Sequence, residues 1–451
     1  MHISAPDRAK VLPSCVLAVF LASATPAAAR CQDDPAVRPD TCAPGPELRS
    51  VHTLPELPLG VVLERALHHS IANDRCVLLG GTGTDLWHGP DDAKDEFWML
   101  CDRGPNGTVT VDNAVRRTFL VPDYTPLILR VQATADTLSL LDVIPLVGTS
   151  SPVGGLCNIE GHDEVPYDAT GKTTLAYNPS GLDCEGMVRT RRGDFWLAEE
   201  YGPSLVHVDA GGRVRERFVP SGLSLPGADY PVTANLPAIL ARRRDNRGFE
   251  GLALSVDQTT LFAVLQSPLS IPDKATGEAS RQVRILAFDV VNKTPAAEYL
   301  YRLDASEEFD PKTPARRADM KVSALAVVDA DTILVLERTD VVARIFAASL
   351  RGAADLLGTQ WDDPAHGPSL ESLPEPAAAG VQALAKRLVV DLTALPGVPG
   401  KIEGIAILDA QTLAFANDND FDVGTIDPAG NNVGKGTRSR LWVVRLPAPL
   451  R

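Results

Sequence analysis

Glu-Gly pairs recur at 185–186, 250–251 and 403–404, each opening a short apolar run, and polar residues close the hairpins that follow. Clustered carboxylates and amides, in a chain with only 8 histidines, suit a hard cation such as calcium, which takes about six to eight oxygen ligands. The candidate metal ligands are Glu185, Glu200, Glu250, Glu403 and Asp418. Arg103, Arg247 and Arg338 adjoin the same positions and could fork onto phosphate oxygens. Tyr201 could orient a substrate. A cation bridging to phosphate among these groups would make a phosphomonoesterase.

Each feature also has a plain structural use. A carboxylate beside arginine can pin neighbouring sheets as an ion pair. "CDRGP" (101–105) can be a turn in which Asp102 caps backbone amides, and "NDNDF" (417–421) an Asx-rich turn. Other chemistries lack their signatures: there is no EF-hand loop, no G-x-S-x-G elbow, no H-E-x-x-H and no Arg-His-Gly motif. His162, in "NIEGHDEVPYD", is the best placed histidine for function, although a solvated loop is its commoner use.

These residues need elements to position them. Short apolar runs alternate with Gly, Asp and Pro turns, the pattern of an all-β chain. Helical periodicity is scarce, and Ala377 to Leu388 is its best case. Four segments share one plan of polar residue, apolar strand, turn, second strand and polar ending. They start at Cys184, Phe249, Val322 and Lys401, and a looser fifth starts at Gly80. The anchors Glu185, Glu250, Ser323 and Glu403 are 65, 73 and 80 residues apart. Dividing the 422 residues after position 29 by about 73 predicts a β-propeller of about six blades, with four short antiparallel strands per blade. A β-sandwich is the alternative. Fourteen residues separate Glu185 from Glu199, and Glu403 from Asn417. Two short strands and a tight turn of that length place both polar ends side by side. The polar ends should then form a ring at one mouth of the central channel.

The stretches "LCDRGPNG" (100–107), "DCEGMV" with "FWLAEEYGPSLVHVD" (183–209), "NRGFEGLALS" (246–255) and "KIEGIAIL" with "NDNDF" (401–421) carry a family resemblance. In them the chain resembles the phytase-like family, described as having esterase-like activity of phytase. The resemblance implies a propeller-class, usually exported protein with proposed phosphate-ester hydrolysis. Ser323 stands where a fourth Glu would complete the ring.

Arg8 and Lys10, the apolar run Val16–Ala22 and small residues up to Ala29 read as a secretory signal over 1–29. Residues 30–58 read as a Pro-rich lead-in and 59–451 as one propeller domain, exported to the periplasm or the medium. No stretch is long enough to span a bilayer. Removing 1–29, which carries net +1, takes the formal charge from −15 to −16, and this disfavours nucleic acid. Six cysteines are left, at 31, 42, 76, 101, 157 and 184, and three disulfides are expected in an oxidising compartment. The expected partner is a small anionic or ester substrate, bound by a monomer. Three functions follow: a calcium-dependent phosphate-ester hydrolase, a carboxylic ester or lactone hydrolase, or a non-catalytic binding propeller with a structural ion.

Overall fold

The computed structural model describes residues 45–451. The expected signal segment, Cys31 and Cys42 lie outside the described residues.

The strands run in chain order as follows. Strand β1 (Glu47–Thr53) precedes helix α1 (Leu59–Leu67). The first sheet holds β2 (Asp85–Trp87) and β3 (Glu96–Leu100). An excursion, β4 (Asn106–Val111) and β5 (Ala114–Phe119), then interrupts it before β6 (Leu127–Thr134) and β7 (Thr137–Pro145). Strand β8 (Pro166–Asp168) joins the excursion, parallel to β5. The second sheet holds β9 (Cys184–Arg189), β10 (Phe195–Glu199), β11 (Ser204–Val208), β12 (Val214–Pro220) and β13 (Val232–Leu236). The third has β14 (Phe249–Leu254), β15 (Thr260–Leu265), β16 (Gln282–Asp289) and β17 (Thr294–Arg302). The fourth has β18 (Lys321–Asp329), β19 (Thr332–Arg338), β20 (Ala343–Ser349) and β21 (Ala385–Asp391). The fifth has β22 (Ile402–Asp409) and β23 (Thr412–Asn417). After a small hairpin, β24 (Thr425–Ile426) and β25 (Asn432–Val433), come β26 (Arg440–Arg445) and then β1, which also pairs with β7 at Thr53 and so joins the fifth set of strands to the first in one eight-stranded sheet.

The first strand of each sheet packs against the first strands of its two neighbours, in the cycle β2, β9, β14, β18, β22 and back to β2. This is a propeller-like all-β arrangement. The hydrophobic core is a set of wedges between adjacent sheets rather than one central mass.

Four expectations change. Among the described residues the inner-strand cycle passes through five units and six blades are not seen, because the excursion stretches the first repeat: Thr84 and Glu185, at like places in the first two units, are 101 residues apart. Residues 47–53, inside the expected lead-in, form the outer strand of the fifth sheet, with Val51 paired to Trp442. The expected helix over 377–388 is absent. A single 3-10 turn, Pro376–Ala379, ends at Gly380 with φ 79°, and the chain then pairs with β20 as the edge strand β21. Finally, Cys76, Cys101, Cys157 and Cys184 are free thiols. The three buried ones sit in separate wedges, Cys101 by α1, Cys184 between the first two sheets and Cys157 beside Phe119 and Tyr201.

Candidate functional site at the channel mouth

In four of the sheets the anchor residue falls at a break in the pairing of the inner hairpin. Phe249 pairs with Leu265 and Gly251 with Val264, leaving Glu250 as the extra residue of a β-bulge. Ser323, Glu403 and Glu185 occupy the same place in their strands. A bulge re-aims a side chain without breaking the sheet, and here it turns the anchors toward the axis.

The closing ends of the second strands divide by position. Glu199, Glu337 and Asn417 are spent on the fold. Glu199 holds Arg217 at 2.5 Å and accepts from Ser204 at 2.7 Å. Glu337 accepts from Tyr301 at 2.5 Å and from Lys386. Asn417 accepts from the Arg440 amide at 2.8 Å and donates to the Arg438 carbonyl at 3.1 Å. The next residue along lines the axis instead: Asp102, Glu200, Gln266, Arg338 and Asp418.

The result is a cavity of ≈ 290 Å³. It brings together Arg103, Arg247, Arg338, Glu185, Glu200, Glu250, Glu403 and Asp418, every sequence-predicted site residue except Tyr201. Tyr201 is buried and its hydroxyl donates to the Gly155 carbonyl at 2.6 Å. Its ring lies 5.8 Å from the Arg103 guanidinium carbon, so it supports Arg103. His162 is not a lining residue; its Nδ1 lies 3.1 Å from Asp163, which Arg243 grips at 2.5 Å.

One wall is acidic. Asp183, Glu185 and Glu200 each offer an oxygen within 4.8 Å of the others. Arg103 Nη1 pairs with Asp183 Oδ2 at 2.9 Å, and Glu185 accepts from Thr84. Glu200 Oε1 and Glu250 Oε2 are buried with no hydrogen-bond partner. Burial pushes Asp102, Glu185 and Glu200 well above the usual carboxylate range, and the neighbouring carboxylates push them further. Burial also raises Glu250, against the pull of Arg338.

The opposite wall is basic. Arg338 donates to Ser323 at 2.8 Å and to Glu403. Lys401 sits 2.5 Å from Asp418 and 2.6 Å from Asp420. Burial alone would raise Asp418, but Lys401 holds it below its ordinary value. Lys321 is pulled down to about 8 by burial and by Arg338 and Arg247; it faces the exposed Asp340 at 3.4 Å. Arg247 Nη1 has no partner.

Sequence reasoning missed Asp183, Lys321 and Lys401. A signal was available, because each stands two residues before an anchor (Glu185, Ser323, Glu403).

Below the anchors the cavity has a floor. Two residues further along the inner strands stand Leu86, Met187, Leu252, Leu325 and Ile405, all at most 3% exposed. This apolar layer separates the polar cavity from a second one at the far end of the axis. Asp85 occupies the place that Gly takes in "EG", and it accepts the Met187 amide of the next strand at 2.6 Å.

The fold and the cavity define an all-β, propeller-like protein with a bipolar site opening at one end of its axis. The family model described as phytase-like, esterase-like activity of phytase, matches residues 89–421, and the chain belongs to that family. A protein of Arthroderma benhamiae named "Uncharacterized secreted protein" is 27% identical over 277 residues, 52% of this chain; the match spans about half (53%) of that relative's length. Among solved structures, the calcium-binding protein regucalcin from Agrobacterium tumefaciens is 10% identical with a TM-score of 0.32, covering 82% of this chain and 92% of its own. The PQQ-bound aldose sugar dehydrogenase of Streptomyces coelicolor is 12% identical with a TM-score of 0.31, covering 89% and 99%. Likeness this slight carries no argument about function. Among the described residues no helix is long and apolar enough to cross a membrane.

Proposed function

We propose that the channel-mouth cavity is the active site of an exported phosphate-ester hydrolase that works with bound calcium. One observation carries the reading: buried groups of opposite charge face one cavity with unspent bonding capacity. Glu200 Oε1 and Glu250 Oε2 on one side, and Arg247 Nη1 on the other, have no partner in the protein. Leaving such groups unpaired is costly. A cation together with an anion would satisfy both sides.

Asp183, Glu185 and Glu200 fit the cation, since an oxygen-only donor set suits a hard ion. Glu250, Glu403 and Asp418 lie farther round the ring, with Glu403 and Asp418 committed to Arg338 and Lys401. When bound, calcium would polarise a phosphoryl oxygen as a Lewis acid. Arg247 is the freest of the three arginines to grip a phosphate oxygen, with Arg338 and Lys321 beside it. Arg103 holds Asp183 in place, and Tyr201 holds Arg103. Glu250, raised by burial, is suited to hold a proton at Oε2 and release it as general acid. The apolar floor closes the cavity on the side away from the mouth, and the burial of the carboxylates strengthens their charge interactions. Export is supported by the signal-like N-terminus and by the secreted relative.

The test is turnover of p-nitrophenyl phosphate and p-nitrophenyl acetate, each with calcium and with EGTA. Calcium-dependent release from the phosphate ester is expected. Release from the acetate alone would move the protein to carboxylic esters. Turnover of neither, with a calcium-raised melting temperature, would make the ion structural.

A further inference from the structure

The second cavity, at the opposite end of the axis, has a different chemistry. It measures ≈ 470 Å³, within the range of about 300–1,000 Å³ typical of small-ligand sites. Its walls come from the far halves of the inner strands, including Leu254, Val327 and Ile407 above the shared apolar floor. Three cationic side chains stand at its rim against one acidic side chain, Asp92. Asp92 is already occupied by the Gly89 amide at 2.8 Å and lies 3.8 Å from Arg189.

Of the rim cations, Lys94 has no hydrogen-bond or ion-pair partner among the described residues, and it is exposed. Arg191 is also exposed; its side chain donates only to the Val256 carbonyl, at 3.3 Å, and meets no carboxylate. Arg451 lies 3.8 Å from Asp329. Unspent positive charge is unexpected in a chain of net charge −15. Trp87 also lines this cavity, and its Nε1 is buried with no acceptor. An apolar well with two exposed cations at its lip, neither paired with a carboxylate, matches one kind of molecule.

We propose that this far cavity binds an amphipathic carboxylate, with its hydrocarbon chain against the apolar strand residues and its carboxylate at Lys94 and Arg191. Apolar burial supplies the affinity and the cations set the orientation. The site is independent of the channel-mouth reading, because the apolar floor lies between the two.

Decanoate, titrated below its micelle concentration into the full chain by isothermal calorimetry, tests this. One saturable site is expected, with decanol binding more weakly and decyltrimethylammonium not measurably. The double variant Lys94→Glu/Arg191→Glu should weaken decanoate at least tenfold while keeping the wild-type melting temperature. Should that variant misfold, Lys94→Gln/Arg191→Gln serves in its place, with the same direction expected. No saturable decanoate site, equal binding of the cationic detergent, or unchanged affinity in the folded variant would each overturn the proposal.

Discussion

A Cβ added to Gly404 would come within 2.6 Å of the Leu86 amide nitrogen, so the last inner strand meets the first backbone to backbone. Gly186 stands in the same relation to Leu252, at 2.8 Å, and Gly251 to Ala324, at 2.8 Å. The Glu-Gly pair therefore does two jobs with adjacent residues. Glu turns into the cavity on its bulge, and Gly lets the neighbouring inner strand approach.

Gly404→Ala should accordingly loosen the closure of the ring. Overpacking of this kind costs about 1–3 kcal/mol, to be read as a lower denaturation midpoint at unchanged m-value. Gly352→Ala is the comparison for its backbone strain alone, since that glycine has φ 77° and open space around it. A Gly404→Ala midpoint equal to wild type would remove close strand approach as the reason for the motif.

Glu199 and Glu200 are neighbours with opposite duties, and substitution should separate them. Glu199→Gln breaks a buried pair with Arg217, a loss of about 3–5 kcal/mol, and lowers the melting temperature with or without calcium. Glu200→Gln removes one charge from the acidic wall. Its metal-free melting temperature should hold or rise, while the calcium-induced rise shrinks. That rise corresponds to about 2.7 kcal/mol at a hundredfold excess over Kd. Glu250→Gln, which removes the proposed general acid but none of the three proposed cation ligands, should lower ester turnover while leaving most of the calcium-induced rise in place.

The crowded carboxylates make stability depend on pH in a stated direction. Asp85, Asp102, Glu185 and Glu200 are all raised by burial. From about pH 4, where their unfolded counterparts ionise, the folded state binds more protons than the unfolded one. Stability therefore falls as pH rises through this window. Asp418, held low by Lys401, works in the opposite direction below about pH 4. With EGTA the melting temperature should drop between pH 4 and pH 7, and calcium should flatten the drop by favouring the ionised oxygens. A melting temperature that climbs with pH in EGTA would contradict the acidic wall.

The thiols give a separate check on the wedges. Cys76 is exposed and should react with a thiol reagent in the native protein. Cys101, Cys157 and Cys184 are buried, and burial raises all three, Cys157 to about 12. They should label only after unfolding. Non-reducing mass spectrometry that finds any two of these four cysteines joined would contradict the packing of the first two sheets.

Much was legible in the sequence because it is local. Apolar runs of strand length, turn residues and a repeated Glu-Gly are set within a few residues, so the all-β class and the hairpins follow from them. The fixed hairpin length also brought eight of nine named residues to one cavity. What could not be read depends on contacts across many residues. The count of five units round the axis depends on an excursion that interrupts the first one, and β1 finds its place by pairing with β26, nearly the whole chain away, and with β7 at Thr53. Tyr201 looked available until Gly155 and Arg103 were seen to occupy it. Asp183, Lys321 and Lys401 became site residues because the bulges face the strand starts toward the axis. Neighbouring carboxylates in the sequence, such as Glu199 and Glu200, are chemically alike. Only the tertiary structure, by giving one an arginine and the other an open cavity, decided which serves the fold and which faces the site.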